Sequence, residues 1–287
     1  MVVESIINSF NAEKRPYFLI LIGFLYSLIA AALSMWIFPD QASLIMVFLI
    51  VMASIPLMIS VIKDEEKKDV SEFHEIILLK EHGKALLAFM CLFIGVTLGM
   101  ALLYTILPGE TTSTMFDAQI KTISGMSHAV SSDVTGKFIA GFDRFSNIFL
   151  NNVKVLMFCL LFSFLYGAGA IFILTWNASV IGTAIGNFIR GELALLSGLV
   201  GLDKFAQYFN VISIGLMKYA IHGIPEILAY FTAGLAGGII SIAVIKHDFG
   251  GKKFEHIVLD SADLILLSIA ILFIAGILEI WVTPIFF

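Results

Sequence analysis

The sequence is poor in charged residues, which make up 14% of its 287 residues against about 25% in an average soluble domain. Hydrophobic residues make up 59% of the chain, and a soluble core of this size cannot bury so much apolar surface. The composition therefore excludes a soluble enzyme and a disordered chain. It indicates that the protein folds in a lipid bilayer.

Cysteine is also scarce, because Cys91 and Cys159 are the only two and both lie inside apolar runs. They are typical of small core residues, which excludes a disulfide-rich secreted module. The formal net charge of −5 excludes a strongly basic nucleic-acid-binding protein. The sequence lacks a His-Glu-x-x-His zinc motif, a Gly-x-Ser-x-Gly elbow and a phosphate-binding glycine loop. These absences favour a protein that is not an enzyme, and they predict no cofactor or metal.

Apolar runs that are long enough to cross a membrane dominate what is present. A helix needs about 20 apolar residues to cross a hydrocarbon core about 30 Å thick. Six runs of that length predict six spans of an all-α bundle. They cover residues 17–38, 42–62, 85–107, 155–174, 224–245 and 264–282.

Residues 177–221 allow two interpretations, because an Arg-Gly-Glu tripeptide that starts at Arg190 interrupts their apolar stretches. They form either one crossing or a broken, re-entrant pair. Basic residues gather before the first run, within residues 63–84 and around Lys246, and such residues mark the cytoplasmic side of a membrane. These three sites share one side only if residues 177–221 cross once. We therefore predict about seven spans in the cell membrane, with the N-terminus cytoplasmic and the C-terminus external.

Two segments between the runs are predicted to be helical and to lie outside the bilayer. Residues 63–84 fit an amphipathic helix that rests on the cytoplasmic headgroups or docks a partner. The loop 109–152 fits a helical hairpin whose first helix is capped near Thr111 and whose second helix runs into the fourth span. This external hairpin is either a docking surface for a protein partner or a lid over the bundle.

Pairs of glycines spaced four residues apart lie within the apolar stretches. Such pairs allow helices to approach one another backbone to backbone. Packing within one chain is the simpler interpretation of each pair, and the seam of a homodimer is the alternative. The three pairs are Gly95 and Gly99, Gly182 and Gly186, and Gly234 and Gly238.

An ionisable or amide side chain inside the bilayer costs free energy unless it is paired or hydrated. Each such residue is therefore a candidate for a functional role. The tract from His222 to Glu226 is the most informative, because Pro225 within it favours the start of a helix. If the helix instead continues through a kink, His222 and Glu226 lie on one stripe. The predicted polar cluster comprises Asn152, Asn177, Asn187, Arg190, Glu192, His222 and Glu226.

We expect this cluster to act as a clamp in which Arg190 pairs with Glu226 and staples two broken helices together. The alternative is a site between broken helices that handles protons or small ions, as in a channel or transporter. A third hypothesis, an intramembrane enzyme, depends on His222 and Glu226 alone.

Several short motifs follow one another along the second part of the chain. They are Asn151-Asn152 before a span, Asn177 at the far end of that span, Gly182, His222-Gly223-x-x-Glu226, Ala233-Gly234 and Gly237-Gly238. This set resembles the stage II sporulation protein M family, although Ala178 stands where the family usually has glycine. The resemblance covers residues 84–287 and implies a five-span core with a long external loop. Residues 1–83 would then add a two-span hairpin and the charged cytoplasmic helix.

The resemblance implies a membrane protein that recruits partners, because the family's named member works with peptidoglycan-degrading enzymes in a membrane complex during endospore formation. It does not imply sporulation for this chain. The sequence therefore predicts a multi-pass scaffold or complex subunit that contacts the lipid bilayer and other proteins and binds no nucleic acid. A channel or transporter that uses Arg190, His222 and Glu226 is the alternative.

Overall fold

The computed structural model describes residues 14–71, 75–130, 139–166, 169–196, 201–246 and 251–286, which form helices and no strand. A 3-10 turn at Pro39–Gln41 joins the first two helices, and a π-helical segment at Leu278–Val282 joins the last two. The helices are α1 (Phe18–Ile37), α2 (Ala42–Ser71), α3 (Glu75–Ile106), α4 (Gly109–Met115), α5 (Asp117–Val130), α6 (Ile139–Tyr166), α7 (Ala170–Leu195), α8 (Gly201–Lys246), α9 (Lys252–Ile277) and α10 (Thr283–Phe286).

Seven helical stretches of the described residues are long and apolar enough to cross a membrane. They belong to α1, α2, α3, α6, α7, α8 and α9, the last of which continues through the π-helical segment into α10. The predicted class, an all-α membrane protein of about seven spans, is confirmed. The first span matches its predicted bounds closely, since α1 ends at Ile37 just before Pro39, and the second begins at Ala42 as predicted but extends beyond residue 62 to Ser71.

The predicted fourth span, residues 155–174, is wrong because the chain turns inside it. α6 ends at Tyr166 and α7 begins at Ala170. At this turn, a Cβ atom on Gly169 would lie 2.3 Å from the carbonyl oxygen of Phe162. The two helix ends therefore approach more closely than any residue with a side chain permits. A count of apolar residues does not register such a glycine turn.

The helix break predicted at Pro225 is also wrong, because α8 is continuous and contains Pro225 in its interior. Its 46 residues extend for about 69 Å at 1.5 Å per residue, roughly twice the thickness of a bilayer core. Proline is tolerated inside a membrane helix when neighbouring helices satisfy the freed backbone groups. α7 likewise passes through Arg190 without a break. The re-entrant interpretation of residues 177–221 is therefore not adopted.

Residues 63–84 do not form the separate surface helix that was predicted for them. α2 continues to Ser71, and α3 already begins at Glu75. The side chains of Glu65 and His82 are both buried and lie 2.6 Å apart. The charged segment is thus made by the ends of two spanning helices that pack against each other.

Contacts between distant parts of the chain define two ends of the bundle. At one end, which we call the basic end, Lys246 of α8 binds Glu66 of α2 at 2.6 Å. At the other end, which we call the loop end, Arg190 of α7 binds Thr112 of α4 at 3.0 Å. The C-terminal ends of α2 and α8 therefore lie together, as a single crossing of residues 177–221 requires.

Glycines bring α1, α3 and α7 into backbone contact. A Cβ atom on Gly95 would lie 2.1 Å from the carbonyl oxygen of Ile20 in α1, and one on Gly182 would lie 2.7 Å from that of Thr97 in α3. α1 therefore packs directly on α3, and α3 on α7. Gly238 of α8 is buried. Close backbone contacts also occur at Gly186 and Gly237, whereas Gly99 and Gly234 lie closest to the side chains of Ser27 and Ala170.

Candidate functional site

A polar site lies where α8 meets the end of α9. The continuous α8 places His222, Glu226 and Tyr230 on one stripe, because residues four apart share a helix face. His222 Nδ1 lies 3.3 Å from Thr283 Oγ1, and Glu226 interacts electrostatically with Glu279 of the π-helical segment. We call these five residues the α8–α9 site.

The hydrogen bonds of this site determine which atoms donate. The Tyr230 hydroxyl donates to Glu226 Oε1 at 2.8 Å, and the Thr283 hydroxyl donates to the carbonyl oxygen of Leu278 at 3.0 Å. A hydroxyl has one proton, so Thr283 accepts from His222, whose Nδ1 is then the protonated nitrogen. Nε2 is left to accept a proton or, in the charged imidazolium, to donate one.

The π-helical segment gives the site an irregular wall. Glu279 lies in the turn Leu278–Val282, and such turns occur often at functional sites because they free a backbone carbonyl. Here the Thr283 hydroxyl donates a hydrogen bond to the freed carbonyl oxygen of Leu278. Two carboxyl groups and an imidazole on apolar helices of this length can hold or pass a proton. Within the described ranges, no group of three or more His, Cys, Asp or Glu side chains is arranged to hold a metal ion.

A second polar site lies at the loop end, where α7 meets α3 and α4. Arg190 Nη1 donates to the carbonyl oxygen of Tyr104 at 3.2 Å and to Thr112 Oγ1 at 3.0 Å. The Tyr104 hydroxyl donates to Asn187 Oδ1 at 3.2 Å, and its ring packs edge-on against Phe116 at 5.2 Å. These contacts hold α4 and the start of α5 against α3 and α7.

The predicted clamp between Arg190 and Glu226 is not formed among the described residues. Arg190 binds groups of α3 and α4, whereas Glu226 accepts a hydrogen bond from Tyr230 of its own helix. Lys218, one turn before His222, instead lies over the ring of Phe188 at 5.1 Å. The physical reason is the continuity of α8, because a stripe of residues four apart turns by about 40° at each step and so meets different neighbours along its length.

The remaining members of the predicted cluster lie elsewhere. Asn177 is inside α7 rather than at the far end of a span, and its Nδ2 atom donates to Ile173 O of the same helix at 3.0 Å. Asn152 is buried on α6, the helix that packs against α8. Glu192 is partly buried in the last turns of α7.

Sequence reasoning missed a fully buried glutamine, Gln119 of α5. Its Nε2 atom donates to the carbonyl oxygen of Ser43 at 3.3 Å and to Ser179 Oγ at 3.2 Å. These bonds join α5 to the start of α2 and to α7. Gln119 lies four residues after Met115, on the apolar stripe of the loop, and a polar residue on such a stripe was the available signal.

The start of the loop also differs from its prediction. α4 begins at Gly109, and Pro108 before it contributes no side-chain cap, so the cap expected near Thr111 is wrong. The hydroxyl of Thr112 donates to Pro108 O at 3.0 Å and accepts from Arg190. The second helix does run into the membrane-spanning part, because α6 is continuous from Ile139.

A family model described as Stage II sporulation protein M matches residues 88–284, which is more than half of the chain. The matched range contains the α8–α9 site, Arg190 and the loop-end helices, and it leaves out α1 and α2. No curated protein and no solved structure gives a significant match.

Proposed function

Because the chain belongs to the stage II sporulation protein M family, we propose that it is a scaffold or subunit of a membrane complex that recruits protein partners. Its apolar seven-helix body would anchor the complex in the bilayer. The surface that α4 and α5 present at the loop end would be the place where a partner binds.

The observation that carries this proposal is the two-sided character of α4 and α5. Their inner side is buried through Thr112, Met115, Phe116 and Gln119, which contact the bundle. Their outer side is exposed and polar, and the contacts of the buried inner side with the bundle hold it in place. The outer residues, which we call the docking face, are Glu110, Ser113, Thr114, Asp117, Lys121 and Ser124.

The docking face suits a protein partner because it has charges of both signs on a pre-formed surface. Lys121 and Asp117 form an exposed ion pair at 2.8 Å, and such groups tune association rate and specificity when a partner brings complementary charges. Since Gln119 and Phe116 already hold α4 and α5 against the bundle, a partner that binds there loses little free energy in ordering these helices.

We propose further that the docking face is external and that the basic end is cytoplasmic. Lys63, Lys246 and Lys252 lie towards the basic end, and lysine is concentrated on the cytoplasmic flanks of membrane spans. With seven crossings, the N-terminus would be cytoplasmic and the C-terminus external, in the cell membrane.

A photo-crosslinking amino acid at position 121 tests the docking face in cells that make the full-length protein. We expect a discrete protein adduct there and none when the same amino acid replaces Leu21, which is 50% exposed on the apolar surface of α1. In the reciprocal experiment, a photo-crosslinking amino acid placed in the identified partner should form an adduct with α4 or α5. Equal adducts at both positions, or none at position 121, would contradict the proposal.

A second candidate function is the handling of protons or small cations at the α8–α9 site. The observation that favours it is that Glu226, which interacts electrostatically with Glu279, and His222, which lies 3.3 Å from Thr283 Oγ1, share one stripe of a spanning helix. Ionisable groups inside a membrane cost free energy and are usually kept for a function. In proteoliposomes, Glu226→Gln should then abolish a pH-driven flux that the wild-type protein carries, while Glu192→Gln should retain it. Absence of flux in the wild-type protein would rule this candidate out.

A further inference from the structure

We propose that a cavity between α3, α7 and α8 binds the hydrocarbon tail of a membrane lipid. The cavity has a volume of about 140 Å³. Its wall is built almost wholly from apolar side chains, among them Phe93, Leu98, Ile181, Leu216 and Ile227. The proposal does not depend on partner recruitment, and it concerns a neighbouring face of α8 rather than the face that carries His222 and Glu226.

The chemistry of the wall favours a hydrocarbon over water. Thr97 and Tyr219 are the polar side chains of the lining, and the Thr97 hydroxyl already donates to Phe93 O at 3.0 Å. A water molecule needs two to four polar partners, whereas an apolar cavity of about 150 Å³ stays dry and takes up a molecule such as benzene. The cavity therefore fits a segment of a lipid tail.

The cavity lies where lipid tails are available. All three helices that form its wall are membrane-spanning, so the medium that surrounds them is the interior of the bilayer. Ile224 of the wall is 46% exposed, and Ile94 and Leu98 are partly exposed. The wall is thus continuous with the lipid-facing surface, and a neighbouring lipid can enter sideways.

Gly223 keeps part of this space open. It belongs to the lining, and a Cβ atom built on it meets no heavy atom within 4 Å. Its neighbour His222 faces α9, so the tract from His222 to Glu226 forms the polar site with one side and the wall of the cavity with the other. A large side chain at position 223 would project into the cavity and take the place of the tail.

The experiment uses the full-length protein in phosphatidylcholine vesicles that contain a phosphatidylcholine with a photoactivatable diazirine in its tail. Adducts on the cavity wall, at Phe93 and Leu216, are compared by mass spectrometry with adducts at Leu21 and Leu25 on the lipid-facing surface of α1. We expect the wall to be labelled several-fold more than the α1 surface, because a tail held in the cavity stays beside it.

Gly223→Phe should lower the ratio of wall adducts to α1 adducts several-fold. Gly191→Phe is the matched control, because a Cβ atom on Gly191 also meets nothing within 4 Å and Gly191 lies outside the cavity; its ratio should stay at the wild-type value. An unchanged ratio in a folded Gly223→Phe protein would overturn the proposal. If Gly223→Phe does not fold, the wild-type protein alone tests the proposal. Labelling of the cavity wall that is no stronger than labelling of α1 would then overturn it.

Discussion

The Nζ atom of Lys246 lies 2.6 Å from the Oε2 atom of Glu66, although 180 residues separate them in the chain. Glu66 is almost fully buried, and Lys246 reaches it from the partly exposed end of α8. The contact brings the C-terminal ends of α2 and α8 together. This agrees with the path of the chain, because the four spanning helices α3, α6, α7 and α8 return it to the end where α2 stops.

Cysteine accessibility should separate the two ends of the bundle. Cysteines that replace Lys67 and Lys252, both exposed towards the basic end, should react with a membrane-impermeant thiol reagent only from the cytoplasm. A cysteine that replaces Lys121 of the docking face should react only from outside the cell. The native Cys91 and Cys159 are buried and should give no background. Labelling of all three sites from the same side would refute the arrangement.

Gln119→Ala should loosen the docking face. The change removes the hydrogen bonds from Gln119 Nε2 to Ser43 O and to Ser179 Oγ, and each such bond contributes about 0.5–1.5 kcal/mol. We expect a lower free energy of unfolding in detergent and faster proteolysis between α5 and α6. Lys121→Ala, two residues further on the exposed side, is the control and should leave both unchanged. If the two variants behave alike, Gln119 does not hold α5.

Gly95→Ala should destabilise the contact between α1 and α3. The added Cβ atom would lie 2.1 Å from the carbonyl oxygen of Ile20, so the helices must move apart, and overpacking of this kind costs about 1–3 kcal/mol. Gly191→Ala is the matched control, because the same atom there meets open space. Thermal unfolding in detergent measures the difference, and equal melting temperatures would show that α1 does not pack as described.

A double-mutant cycle should show that Arg190 and Glu226 act independently. Arg190→Met removes the donor to Tyr104 O and Thr112 Oγ1, and Glu226→Gln alters the acceptor of the Tyr230 hydroxyl. Effects at sites with no shared partner add to within about 0.5 kcal/mol. We therefore expect the double mutant's free energy of unfolding to be the sum of the two single changes. A clearly larger coupling energy would restore the clamp that the sequence suggested.

Particular elements show how far sequence reasoning reached and where it stopped. The first two spans and the turn at Pro39 were predictable, because apolar runs and a proline encode them locally. Pro225 was misleading, because a proline inside a packed membrane helix need not end it. The turn at Gly169 went unpredicted, since only the close approach of Phe162 O reveals why glycine is needed there.

The candidate sites divide in the same way. His222 and Glu226 stood out because ionisable groups are rare in apolar runs, and the spacing of four already placed them on one stripe of a continuous helix. Their partners Glu279 and Thr283 lie more than fifty positions further along the chain, and no local pattern connects the two regions. Gln119 was overlooked because the apolar residues around it are typical of an ordinary amphipathic helix.

The sequence by itself determined the solvent, the helical class and the number of spans, because each of these depends on the composition of about 20 consecutive residues. Tertiary structure alone decided that Arg190 binds α3 and α4, that His222 lies beside Thr283, and that a cavity opens beside Gly223. Such pairings depend on how each helix is rotated and tilted against its neighbours. That rotation is set by contacts between residues far apart in the chain, which no local window contains.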